Sequence, residues 1–293
     1  MATITAGMVK ELRERTGLGM MDCKKALSAA EGDMEKAIED LRKSSGMKAA
    51  KKAGRVAAEG IVVIKIAEDG NYGVILEINS ETDFVSKDAN FLDFTQQTLD
   101  LAYANRDADV AALLDAGVEL AREKLVQKVG ENINVRRVDR LKFDDANQGI
   151  VESYVHSNSQ IGVIIALRGG DETLARDIAM HIAAVNPLVV RKEDVPADVI
   201  AKESEIYSAQ ARESGKPEEI IEKMISGRLN KFVAEVSLME QQFVKNPDVK
   251  ISGLLKDAGA DIVNFIRYEV GEGIEKVEVD FADEVAAQVK GGS

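Results

Sequence analysis

Apolar residues recur along this chain with two different periods, and the switch between them divides it into units. The first stretch is helical in period. Thr5 offers a cap to a run through Val9 and Leu12 that reaches about Thr16; Gly17 and Gly19 break it, and a second run covers Met21 to about Ala30. After Gly32, Asp33 caps a third run in which Met34, Ile38 and Leu41 share one face before Gly46. Three helices of this length enclose a small core, which suits a docking module. Lys48, Lys51, Lys52 and Arg55 follow in an alanine-rich run that predicts a linker helix, read as a solvated tether in preference to a nucleic-acid patch.

From Gly60 the pattern becomes one of β-branched runs, and these repeat. Gly60-Ile61-Val62 and Gly149-Ile150-Val151 lie 89 residues apart, as do Gly73-Val74-Ile75-Leu76 and Gly162-Val163-Ile164-Ile165, so each copy predicts strand, turn, strand. Phe91-Leu92-Asp93-Phe94 falls opposite Met180-His181-Ile182-Ala183, which predicts a helix after each hairpin. A third strand is matched between Asn134-Val135-Arg136-Arg137 and Asn264-Phe265-Ile266-Arg267 at an offset of 130, which makes the second copy 41 residues longer. The surplus is placed at 196–236, where two charged helical segments flank Ser214-Gly215-Lys216-Pro217 and the second carries the stripe Ile221, Ile225, Leu229, Phe232, Val236. This predicts a protruding helical hairpin of coiled-coil type, either a surface for another chain or a structural embellishment.

The expected fold class is therefore α+β. Residues 1–54 are expected to form an N-terminal three-helix module that resembles a ubiquitin-associated domain. Residues 55–140 form the first half of the core, and 141–195 with 237–270 the second, both with antiparallel strands. The hairpin insertion spans 196–236, and 271–293 form a C-terminal module with a short helix around Phe281.

Composition narrows the function classes. The net charge of −13, from 38 basic and 51 acidic residues, argues against broad nucleic-acid binding. Residues 1–55 are the exception: twelve Lys/Arg against eight Asp/Glu make +4 and leave −17 for the remainder. A single cysteine, Cys23, precludes an intramolecular disulfide and fits a reducing compartment. No apolar run reaches bilayer length and the N-terminus lacks a basic and apolar leader, so a cytoplasmic protein without membrane contact is expected. There is no phosphate-binding loop ending in Gly-Lys-Ser/Thr, no paired cysteines and no nucleophile elbow, so neither enzymatic activity, cofactor nor metal site is expected. Of the two histidines, His181 shares a helical face with Leu174, Ile178 and Ile182 and is expected at the core edge. His156, in Tyr154-Val155-His156-Ser157-Asn158-Ser159-Gln160, is expected at an exposed hairpin tip, either solvated or touching a partner. An acid–base pair of Asp83 with His156 lacks a third, orienting group.

One stretch stands apart, Glu77 to Lys87. It begins in the strand Gly73–Ile78, which Asn79-Ser80 is expected to end, and it leads into a helix through Phe91, Phe94, Leu99 and Ala102 that Ser86 or Asp88 can cap. Between them Phe84 stands beside Asp83. Phe84 has two readings: a staple onto its own helix, or a rigidly held wedge offered to a partner. At the repeat offset Phe84 falls opposite Thr173, so the second copy makes the same strand-to-helix turn without an aromatic. Leu18, Met20 and Met21 pose a similar choice at the entrance of the second helix, between filling the small core and forming an adaptable partner surface.

The run Leu12-Arg13-Glu14-Arg15-Thr16-Gly17-Leu18-Gly19-Met20-Met21-Asp22-Cys23-Lys24-Lys25-Ala26-Leu27, together with Glu77 to Lys87, resembles the two signature motifs of the bacterial elongation factor Ts family, in the longer form with a helical insertion. The resemblance implies a guanine-nucleotide exchange factor, and not an enzyme, that acts on the GDP-bound and nucleotide-free forms of the translational GTPase elongation factor Tu. It implies that Thr82-Asp83-Phe84-Val85 inserts an aromatic ring near the Mg²⁺ site of that GTPase and disturbs the Mg²⁺ and phosphate contacts, so that GDP leaves. Asp83 would either cap the following helix or bond to the partner. The family further implies partner contacts through Leu12, Met20 and Met21 of the N-terminal module, through the His156 hairpin and through the terminal helix near Phe281. The helical arm is implied to mediate contacts between exchange complexes, in a one-to-one or two-to-two assembly. The rival of another class is an adaptor whose core is a passive scaffold, and the two differ on Phe84.

Overall fold

The computed structural model describes residues 4–144, 148–213 and 217–275. Three helices open the chain: α1 (Ala6–Thr16), α2 (Met20–Ala29) and α3 (Met34–Lys52). Their boundaries follow the side chains expected to set them. The Thr5 hydroxyl accepts from the Met8 N–H and Asp33 accepts from the Lys36 N–H, while Gly17 closes α1 in the left-handed conformation. Leu12, Cys23, Leu27 and Ala37 are fully buried between the three helices.

α3 departs from expectation. It does not stop at Gly46 but continues to Lys52, so the predicted tether is the end of the same helix. Tertiary contact outweighs the glycine's weak helix propensity here: Ala49 is buried against the core, Lys48 lies 4.0 Å from the Asp22 carboxylate, and Lys52 donates to the Gly130 carbonyl.

The core consists of two three-stranded antiparallel sheets. The first has the order β1 (Glu59–Ile66), β2 (Tyr72–Ser80), β3 (Asn134–Lys142); the second has the order β4 (Ile150–Val155), β5 (Ile161–Arg168), β8 (Asp261–Glu269). The sheets pack face to face, and the contacts obey the repeat reciprocally. A Cβ on Gly73 would lie 2.8 Å from Val151, and one on Gly162 would lie 2.5 Å from Val62, the same pair displaced by 89. Val62 and Val151, Ile75 and Ile164, Leu141 and Tyr268 meet in one shared layer, which gives the two halves an approximate two-fold relation.

The third strand requires a correction. Val74 pairs with Arg140 and Val163 with Arg267, so the true offset is 127 and the second copy is longer by 38 residues, not 41. The Asn and Arg identities that suggested 130 are out of register by three. An odd slip exchanges the two faces of a strand, so burial forbids it. Both third strands carry a bulge at equivalent places, beside Glu77 and beside Ala166. β3 also runs to Lys142, past the expected boundary at 140.

Helices cover the outer face of each sheet. α4 (Asp83–Ser86), α5 (Ala89–Ala104), α6 (Val110–Leu113) and α7 (Glu119–Val129) lie between β2 and β3, and Phe91, Phe94, Leu99 and Ala102 are buried as expected. α8 (Glu172–Val185) covers the second sheet. The insertion forms an antiparallel pair, α9 (Ala197–Arg212) and α10 (Glu218–Val236), clamped at its base where the Leu188 N–H donates to the Val236 carbonyl. A short hairpin of β6 (Gln242–Phe243) and β7 (Asn246–Lys250), then α11 (Ile251–Asp257), completes the second half; neither was anticipated. The helix expected near Phe281 lies outside the described residues. Among those described, no helix is long and apolar enough to cross a membrane, and no group of His, Cys, Asp and Glu is disposed to hold a metal.

Candidate functional site

β2 is buried along its whole length and delivers the Glu81–Lys87 loop to the surface. Asn79 and Ser80 do not end the strand. They pair with Gly60 and Glu59, and the Asn79 amide donates to the Glu59 carbonyl and to the Glu77 carboxylate. The turn therefore begins at Glu81.

Next comes a single helical turn, α4, that sequence reasoning missed. Its cap is Thr82, whose hydroxyl accepts from the Val85 N–H at 3.4 Å. Asp88, not Ser86, caps α5 by accepting from the Asn90 N–H at 2.8 Å, and the Ser86 hydroxyl instead donates to the Asp83 carbonyl. Asp83 caps neither helix. It accepts from Lys87 at 2.7 Å, a bond that holds its carboxyl below the usual carboxylate range. Val85 turns inward against the first-half core. Phe84 is 81% exposed, so the staple reading is excluded, and a short turn anchored on both sides presents a bare ring. The second copy caps its helix at the equivalent position, where Asp171 accepts from the Leu174 N–H, but there α8 continues unbroken with Thr173 in place of the ring.

The N-terminal module divides the residues expected of it. Met20 and Met21 occupy the first turn of α2 and are 57% and 64% exposed. Leu18 is buried, and so is Leu12, which the structure does not bring to the surface: it lies in the three-helix core and can only support a contact made by others. Met47 on α3 is a further exposed methionine that periodicity did not single out.

His156 lies at the exposed tip of the β4–β5 hairpin, its Nδ1 3.3 Å from the Tyr154 hydroxyl. The hairpin is braced where the Val62 N–H donates to the Ser159 carbonyl. Asp83 and His156 each bond within their own loop, and no hydrogen bond joins them.

His181 is deeper than the core edge expected for it. It is fully buried; its Nδ1 accepts from the Val244 N–H at 3.3 Å, which leaves Nε2 to donate to Gln241 Oε1 at 2.9 Å. Burial lowers its pKa below the ordinary value of 6.5, against the opposing effect of the Gln241 bond. The unfolded chain thus binds more protons than the native one below that value, so stability is full above about pH 6.5 and falls as the pH drops. Thermal melts between pH 7.5 and 5.5 should show this decline, and a His181→Gln variant should show a flatter profile over the same range.

Comparison with known proteins accords with this geometry. A family model described as Elongation factor TS matches residues 81–272. The chain is 64% identical to Elongation factor Ts of Hahella chejuensis over 291 residues, covering 99% of this chain and 100% of that one. It is 59% identical to that of Saccharophagus degradans, covering 98% of each, and 55% identical to that of Pseudomonas aeruginosa, covering 99% of this chain and 98% of the relative.

Proposed function

Because the chain belongs to the elongation factor Ts family, whose role is nucleotide exchange in translation elongation, we propose that it binds elongation factor Tu carrying GDP and releases the nucleotide through Phe84. The observation that supports this most directly is the exposed ring of Phe84 at the end of a fully buried strand. A ring held this way enters a partner without first losing conformational freedom.

The Mg²⁺ that bridges phosphate oxygens in a GTPase demands near-ideal octahedral geometry, so a small intrusion beside it weakens nucleotide binding disproportionately. The coupling is reciprocal: a factor that prefers the nucleotide-free partner weakens GDP binding by the ratio of its own affinities, and incoming GTP expels it by the same ratio. Within the loop, Thr82 caps the turn, Val85 anchors it and Asp83 is held towards Lys87. Met20 and Met21 supply an adaptable second contact and His156 a third, while Leu12 supports the methionine surface from within. The α9–α10 arm carries contacts between complexes, and a cytoplasmic location follows from the partner. The factor itself requires no cofactor and turns over no substrate.

Elongation factor Tu loaded with fluorescent GDP tests this. Adding the protein with excess unlabelled nucleotide should accelerate loss of fluorescence in proportion to its concentration, up to saturation. A release rate unchanged at any concentration would refute the proposal.

A further inference from the structure

We propose that Glu131 is a positioning residue for exchange, which fixes the backbone from which Phe84 projects; this rests on the wedge role given to Phe84 above. Glu131 follows Gly130, the left-handed residue that ends α7. Although 49 residues beyond Thr82, its carboxylate takes both of that residue's donors, the hydroxyl at 2.7 Å and the backbone N–H at 3.0 Å. Each oxygen accepts one charge-assisted bond, so the carboxylate fixes both the Thr82 rotamer and the plane of its peptide. The Thr82 hydroxyl donates to Glu131 and accepts from Val85, and thereby joins the carboxylate directly to the turn that carries Phe84.

A second carboxylate runs the opposite way. Glu81, next to Thr82, accepts from the backbone N–H of Asn132, next to Glu131, at 2.5 Å. Two adjacent loops are thus cross-braced by reciprocal bonds. The brace extends to the segment after α3: the Asn132 amide donates to the Arg55 carbonyl at 2.9 Å, and the Arg55 guanidinium lies 3.5 Å from Glu81. None of these bonds covers the ring, since Phe84 remains exposed.

A helix of one turn does not hold itself, because nucleation costs more than one turn returns. Without Glu131 the loop samples other conformations, and the competent one becomes a fraction of the population. Apparent affinity falls by that fraction while the action of the bound state is intact, so a loop competent about one tenth of the time loses about tenfold.

The test uses the full chain with Glu131→Ala, and with Glu131→Gln, which keeps the volume but only one acceptor oxygen. In the isolated protein, amide hydrogen exchange should quicken at residues 82–86 while the circular dichroism of the fold is retained. In the fluorescent-GDP assay the half-saturating concentration should rise about tenfold for the alanine variant, and less for glutamine, at an unchanged maximal rate. Phe84→Ala should lower the maximal rate as well as raise the half-saturating concentration, and adding Glu131→Ala to it should change neither further. A folded Glu131→Ala with unaltered half-saturation, beside an impaired Phe84→Ala, overturns the positioning role and leaves the exchange function standing. If the unsubstituted protein fails to release GDP, both fall.

Discussion

Phe84→Ala is expected to lower the maximal rate of GDP release by an order of magnitude or more while leaving the protein as stable as before. The two halves of this expectation have separate physical grounds. With the ring 81% exposed, its removal sacrifices almost no native packing, and alanine is the better helix former inside α4. In the complex the same ring would be buried, and one desolvated aromatic anchor contributes about 2 kcal/mol or more to an interface. Stopped-flow release of fluorescent GDP and a thermal melt of the free factor measure the two. Release kinetics unaltered by the substitution would end the case for a wedge; a lowered melting temperature would show that the ring supports the fold after all.

The second large effect is expected from Glu77→Ala, and it is one of stability. Glu77 is 0% exposed and faces the layer between the sheets, on the same side of β2 as Ile75. Burial would raise its pKa, but the Gly271 N–H, the Asn79 amide, Arg137 and Arg136 all donate to it and hold the carboxyl below its ordinary value. Removing it strands an N–H and leaves two guanidinium groups without their central acceptor. Deleting one partner of a buried ionic cluster costs about 3–5 kcal/mol, and the lower end applies because both arginines reach solvent at their edges. Urea denaturation would measure the loss. With a folded pKa below the unfolded one, the same cluster contributes fully above the ordinary carboxylate pKa and loses its contribution as the pH falls through the folded value. Full stability in the alanine variant would mean that the cluster contributes nothing to holding the Gly271 turn.

Much of this was legible in the chain, for reasons that differ by residue. The glycines at the 89-residue offset announced the two halves because they are imposed by close approach: a Cβ on Gly60 would lie 2.2 Å from the Ile78 carbonyl oxygen, and one on Gly149 would lie 2.4 Å from that of Leu167. The caps Thr5 and Asp33 were visible, and that of α5 was narrowed to Ser86 or Asp88, because capping is local. His156 is exposed at the hairpin tip where it was expected, and exposure decided between the two readings of Phe84 and against core filling by Met20 and Met21. What stayed hidden depends on pairing across distance. Leu12 belongs to a conspicuous motif yet serves the core of its own module. The register of β8 follows from which residues face the other sheet, and a local match of Asn and Arg does not reveal that. Glu131 sits in an ordinary Gly-Glu-Asn turn, and nothing near it in the chain indicates that its acceptors belong to Thr82.

The uninterrupted α3 has a consequence for how two contacts combine. A helix of 19 residues is a rod of about 28 Å, and here it is fastened to the core at Gly130 and along α7, not hung from a flexible joint. In the exchange role proposed above, the methionines and the ring would therefore be rigidly coupled as ligands of one partner. Rigid bivalency carries no entropy cost for closing a linker, so once either site has engaged, the local concentration of the other is set by geometry alone. The gain is large when the spacing matches the partner's surface and vanishes when it does not.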